Sequence, residues 1–174
     1  MYLKVINGIL ILCLSAPVFA DDREERYRQA GHPATPSAIF NELSFDQDPA
    51  IRERVASNRR TPVAVLLRLA NDPNTSVKIS LATNLSAPDG IYPILARDAA
   101  LAVRSVVARF EYVPVTALAI LAKDKDVDIR LEVARNLNTT RSILSQLMAD
   151  DNDRVKAVAT LALQRLSEEE AEGN

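Results

Sequence analysis

The chain has one cysteine, one histidine, no tryptophan and only four glycines in 174 residues. Each shortage removes a class of chemistry. Cys13 lies inside a leading apolar run, so the rest of the chain cannot form a disulfide, hold a metal through sulfur or use a thiol nucleophile. His32 has no second histidine or cysteine with which to ligate zinc or relay a proton, and it is read as a turn residue. After residue 20 the glycines are Gly31, Gly90 and Gly173, too few and too scattered for a phosphate-cradling loop. The 21 basic residues are balanced by 23 acidic ones, so no cationic excess points to nucleic acid. No serine stands in a nucleophile-elbow setting. The expectation is a protein that is not an enzyme, with no catalytic residue, no cofactor and no metal.

The first 20 residues read as a targeting segment. Lys4 supplies a positive start, Val5 to Leu14 an apolar stretch, and Ala16 to Ala20 the small residues of a cleavage site. The apolar stretch is shorter than the roughly 20 residues a membrane-spanning helix needs. Export to the periplasm or the exterior follows, with cleavage after Ala20 and no membrane association thereafter. The remainder is long enough for one domain that buries roughly 70% of its unfolded surface.

What the chain has is a period. Asp46, Asp72, Asp98, Asp124 and Asp150 stand 26 residues apart, and Arg52, Lys78, Arg104, Arg130 and Lys156 follow them at a constant six. Leu43, Leu69, Leu95, Leu121 and Leu147 keep the same beat, as do Pro36, Pro62, Pro88 and Pro114. A fixed period of this length is the mark of stacked supersecondary units. Within one unit, Thr61 reads as a helix N-cap and Pro62 as the first helical position. Val65, Leu66 and Leu69 then fall on one helical face. Asn71 to Asn74 break the helix and start a second, whose inner face is Val77, Leu81 and Ala82. Asn84, like Asn58 and Asn136, reads as a helix end in the left-handed conformation. Neither helix can bury its apolar face alone, so neighbours must stack.

The fold class expected is all-α, an α-solenoid of about five 26-residue two-helix repeats. Residues 1–20 form the signal peptide, 21–34 an N-terminal capping half-repeat, 35–166 the repeats and 167–174 an acidic flexible tail. The half-repeat carries Arg26, Ala30, Thr35 and Pro36 in register, but Glu25 and Gln29 replace the core residues Ile51 and Val55, as an outward cap requires.

Asp72-Pro73, Val77-Lys78, Leu81-Ala82 and Asn84, preceded by Thr61-Pro62 and Leu66-Leu67, resemble the pattern of the leucine-rich repeat variant family. Asp48-Pro49, Ile51-Arg52, Val55-Ala56, Asn58 and Thr61-Pro62 carry it as well. The wider likeness is to HEAT-like repeats, with their ARM-like superhelical stacking. The unit is longer than the variant family's usual one and shorter than a typical HEAT repeat. The resemblance implies a protein that binds another protein, and together with the targeting segment the expectation is a bacterial one, periplasmic or secreted. An iron–sulfur module found beside some such repeats is not carried over, since the cysteines to hold it are absent.

The aspartates and cations of the period are expected to bridge within or between units and to fix register, a framework rather than a site. Acidic pairs such as Asp124 and Asp126 lie in turns, where they cap helices. Outward positions that are polar elsewhere become apolar at Leu67, Ile94, Ala119 and Ile120, beside Arg68. The third unit is irregular, with Gly90 and Pro93 inside its first helix and Phe110 where other units have Asn. The candidate partner-binding residues are therefore Leu67, Arg68, Ile94, Ile120, Tyr92, Phe110 and Tyr112. The function expected is a monomeric, non-enzymatic adaptor or scaffold. Alternatives are an inhibitor or immunity-type protein for one exported enzyme, or a HEAT-like lyase or maturation factor.

Overall fold

The structure, a computed structural model, describes residues 4–6, 9–11 and 23–172. At the start, β1 (Lys4–Ile6) and β2 (Ile9–Ile11) pair antiparallel. The other residues of the expected signal segment, Cys13 and the cleavage position among them, lie outside the described residues, as do residues 173 and 174. From Arg23 onward the protein is all-helical.

One series of helices is α1 (Arg23–Gly31), α3 (Pro49–Ser57), α5 (Thr75–Ala82), α7 (Leu101–Arg109), α9 (Val127–Arg135) and α11 (Asp153–Glu172). Each of these packs on the next. Between them run the shorter α2 (Ser37–Leu43), α4 (Val63–Leu69), α6 (Tyr92–Leu95), α8 (Val115–Leu121) and α10 (Arg141–Leu147). Apolar positions of both series face inward and are closed to solvent: Ile51, Val77, Val103 and Ile129 from the first, Leu66, Leu95, Leu118 and Leu144 from the second. Alanines 56, 82, 108 and 134 are likewise buried, and their small size keeps neighbouring helices close.

Turn chemistry explains the helix starts. Asp48, Asn74 and Asp126 cap α3, α5 and α9 by accepting from backbone N–H groups of the first turn. Ala100, ahead of α7, offers no such oxygen. In the same unit Gly90 and Pro93 have the expected cost. A 3₁₀ turn at Asp89–Ile91 replaces the helix start, and α6 is four residues long.

Three local readings are corrected. Thr61 does not cap α4, whose N-cap is Pro62 without a side-chain bond. Its hydroxyl instead donates back to the carbonyl of Val55 at 2.6 Å, as Thr35 does to Gln29 and Thr139 to Val133. Thr140 is the threonine that caps, accepting from Ile143 N–H. Two of the three asparagines are not left-handed. Asn58 and Asn136 sit at φ −76° and −68°, in extended backbone, because their side chains serve the neighbouring unit. Asn84 Nδ2 donates to the carbonyls of Ala56 and Asn58, 28 and 26 residues earlier, while its Oδ1 accepts from Ser86 N–H. Asn58 and Asn136 repeat both halves of this arrangement. The acidic end from residue 167, expected as a flexible tail, continues α11 as helix to Glu172.

Candidate partner-binding surface

The charged residues of the period are spent on the framework. Arg52 donates to Asp72 through Nε and Nη2, at 2.7 and 3.0 Å, and reaches the carbonyl of Asp46 with Nη1. Arg104 does the same with Asp124 at 2.6 and 3.2 Å, and Arg130 with Asp150 at 2.6 and 2.9 Å. Lys78 makes the single-point version with Asp98. Arg52, Lys78, Arg104 and Arg130 therefore pair with the aspartate 20 residues ahead and not with the one six residues behind, whose backbone carbonyl the three arginines use instead. The aspartates are doubly engaged, because their Oδ1 atoms accept from the N–H two residues on. The series begins one step earlier than expected, with Arg26 on Asp46 at 2.7 Å. Lys156 departs from the series and pairs with the exposed Asp153, three residues behind it. These pairs are desolvated, Arg104 and Asp124 having side chains only 8% and 6% exposed. The Arg130 guanidinium holds the Asp150 carboxyl below its ordinary value.

His32 occupies the asparagine position of the first unit and does part of the same work. Its Nδ1 accepts from Ala34 N–H and its carbonyl from Asn58. Among the described residues no group of three or more His, Cys, Asp or Glu side chains is arranged to hold a metal ion. No described helix is long and apolar enough to cross a membrane.

The candidate partner residues differ in exposure and engagement. Leu67 on α4 and Ile94 on α6 are exposed, at 40% and 38%. Ile120 on α8 is half-buried against the core. Arg68 is engaged within the fold: its guanidinium lies 4.0 Å from the Phe45 ring centroid, Nη1 donates to Asn41 Oδ1, and Nη2 contacts Ser44. Tyr92 leaves the candidate surface altogether. It is buried at 3% exposure, and that burial pushes its phenol up to about 12. Phe110 stacks on it at 5.9 Å, and the exposed Tyr112 meets Phe110 edge-on at 5.7 Å. The three rings thus run from the interior to the surface at the end of α7, where Phe110 stands in place of an interlocking asparagine. The aromatic residues of the irregular third unit grade from the buried Tyr92 through the half-buried Phe110 to the exposed Tyr112.

Sequence reading missed the grooves beside the ion pairs. One, of about 400 Å³, is lined by Ser44 to Gln47, Arg52, Arg68 and the turn at Asn71 to Pro73. A second, of about 450 Å³, is lined by Ala96 to Ala99, Arg104, Ile120 and Lys123 to Lys125. A third, of about 440 Å³, lies between the turn at Lys123 and the one at Asp150. All three occupy the same place in the period, so the framework repeats a groove while the lining varies. The chain matches no family model, and no curated protein matches it.

Proposed function

We propose that the chain is an α-solenoid of about five 26-residue two-helix repeats, similar to leucine-rich repeat variant and HEAT-like proteins, which acts as an exported adaptor or scaffold by binding another protein along its repeated surface. The observation that carries this reading is the division of labour among side chains. Polar groups at fixed register positions lock neighbouring units together through Arg/Lys–Asp pairs and Asn–carbonyl bonds. Positions free of that duty vary from unit to unit and include exposed apolar residues such as Leu67 and Ile94. A rigid, varied, partly apolar surface is suited to recognising a protein. The targeting pattern of residues 1–20 supports action outside the cytoplasm.

Crosslinking followed by pull-down from an envelope fraction tests the reading, with Leu67→Lys/Ile94→Lys beside the parent protein. Both positions are solvent-exposed, so circular dichroism should report an intact fold. A stoichiometric partner lost in the variant is the expected result. No specific partner, or one retained undiminished by the variant, counts against an adaptor binding through these residues.

A further inference from the structure

The three grooves beside the ion pairs share one architecture but differ in charge. Two cations and two carboxylates line the first, formed by Arg52, Arg68, Asp46 and Asp72. Arg97, Arg104, Lys123 and Lys125 outnumber Asp98 and Asp124 in the second. Lys123 and Arg130 are outnumbered by Asp124, Asp150 and Asp151 in the third. In the second groove both carboxylates are already neutralised, Asp98 by Lys78 and Asp124 by Arg104. Arg97, Lys123 and Lys125 are exposed and have no ion-pair partner among the described residues. Arg97 is steadied by a bond from Nη1 to the Pro93 carbonyl. Asp126, the next carboxylate along, is turned to the N–H groups of Asp128 and Ile129 at the start of α9.

The framework does not require these cations. The position of Arg97 and Lys123 is held by Phe45, Asn71 and Ala149 in the other units, and that of Lys125 by Gln47, Pro73, Ala99 and Asp151. Ile120, which contributes an apolar wall, shares its column with Ile94, while other units place Glu42, Arg68 or Gln146 there. Basic rim and aliphatic wall therefore coincide in one groove although the fold tolerates neutral residues at each place.

From this coincidence we infer that the groove between the Ala96 to Ala99 and Lys123 to Lys125 turns docks an acidic segment of a partner protein, with carboxylates on Arg97, Lys123 and Lys125 and an aliphatic side chain against Ile120. The inference rests on the protein-binding reading above and assigns it a face and a chemistry. Three cations lining one groove recognise two or three carboxylates better than one, and the aliphatic wall sets register along the segment. The charged rim adds speed of association and salt sensitivity, while the apolar contact slows dissociation.

The test uses the purified protein and a fluorescein-labelled Glu-Glu-Leu-Glu-Glu-Leu peptide, followed by anisotropy at low salt. The basic counterpart Lys-Lys-Leu-Lys-Lys-Leu and a 12-nucleotide single-stranded DNA are run beside it. The acidic peptide should bind and the basic one should not, and raising the salt to roughly 0.5 M should weaken binding sharply. Arg97→Ala/Lys123→Ala/Lys125→Ala should weaken binding on the order of tenfold or more. Arg59→Ala/Arg60→Ala/Arg154→Ala removes the same charge from exposed positions elsewhere and should leave binding in place. Both triple variants alter only exposed side chains, and their unfolding midpoints confirm the comparison. Absence of binding, or equal loss in the two triple variants, overturns the inference. So does tighter binding of the DNA, which would make the groove a general phosphate site. Self-association in sedimentation that Glu168→Gln/Glu169→Gln abolishes would assign the groove to a second copy and also overturn it. A partner found by pull-down but kept by the Arg97 triple variant sinks this inference alone, whereas no partner at all sinks the functional reading first.

Discussion

Removing the Arg104 side chain should be among the most damaging single changes available. Arg104 and Asp124 are nearly closed to solvent, and the guanidinium makes two bonds to the carboxylate and two more to the carbonyls of Asp98 and Ala99. Arg104→Met preserves the bulk of the aliphatic stem but leaves the Asp124 carboxylate buried and uncompensated, a loss of about 3–5 kcal/mol. Asp124→Asn strands the cation instead, at a loss of about 3 kcal/mol. The asparagine Oδ1 can still accept from Asp126 N–H, so the turn survives. In the double variant no charge is left unpaired, and the remaining loss is the unmade hydrogen bonds, about 1–2 kcal/mol. The two single losses should therefore fall short of additivity by at least about 3 kcal/mol. Urea unfolding followed by circular dichroism at 222 nm measures all three variants against the parent. Additive losses, or an Arg104→Met loss below about 1 kcal/mol, would show that the pair behaves as a solvated surface bridge and that the desolvation argument is wrong. Arg23→Ala provides the contrast, since Arg23 is exposed and its bond to the half-buried Asp48 is screened by solvent, so the change should be almost silent.

Leu95 and Leu121 are closed to solvent, and Ala at either should cost about 2–5 kcal/mol in the same urea assay; a loss under 1 kcal/mol would mean the core collapses around the gap. Asn84→Ala should cost about 1–3 kcal/mol by leaving buried carbonyls without their donor, and Asn84→Gly should be no better. A glycine that matched or improved on asparagine would restore the left-handed helix-end reading. Because the Asp150 carboxyl is held below its ordinary value by Arg130 and then by Asn152 N–H, its contribution is present above that value and lost as pH falls through the lower folded one. The urea midpoint should fall steeply below about pH 4, and Asp150→Asn should be weaker at neutral pH with a shallower acid limb; an unchanged acid limb would remove Asp150 from the cause.

The beat of the chain was legible because every unit repeats the same burial pattern, so 26-residue spacing in Leu69, Leu95 and Leu121 predicted buried helical positions that the structure shows. The partner of each cation was not legible. Arg52 stands six residues after Asp46 and 20 before Asp72, and linear distance favours the wrong one. Asn58, Asn136 and Thr61 were misread for a related reason. Capping rules are local, whereas Asn58 and Asn136 bond to carbonyls 26 and 28 residues earlier and Thr61 to the helix just completed. Tyr92 falls in the same column as Phe40, Leu66, Leu118 and Leu144, so its burial follows from the period, whereas its place among the partner candidates came from the irregularity of the third unit and is lost. Its ring stacks on Phe110 instead. The charge contrast between the grooves could have been found in the sequence by reading the Arg97 and Lys125 columns down the period as the leucine columns were read.

The forward direction of the ion pairs has a consequence for biosynthesis. Every cation from Arg26 to Arg130 waits for a carboxylate 20 residues nearer the C-terminus. On the ribosome, the N-terminal segment emerges first with its cations hydrated and its turns unsealed, and each stretch of about one further unit closes the lock behind it. The asparagines work the opposite way, since Asn58, Asn84 and Asn136 reach back to carbonyls already made. Each newly emerged unit therefore grips its predecessor with an amide and supplies the carboxylate that its predecessor's cation lacks. Growth proceeds as a zipper with all contacts near in sequence, a topology that favours rapid closure. A nascent chain halted within this array would leave its last cation without the forward carboxylate, held only by solvent until the next turn emerges.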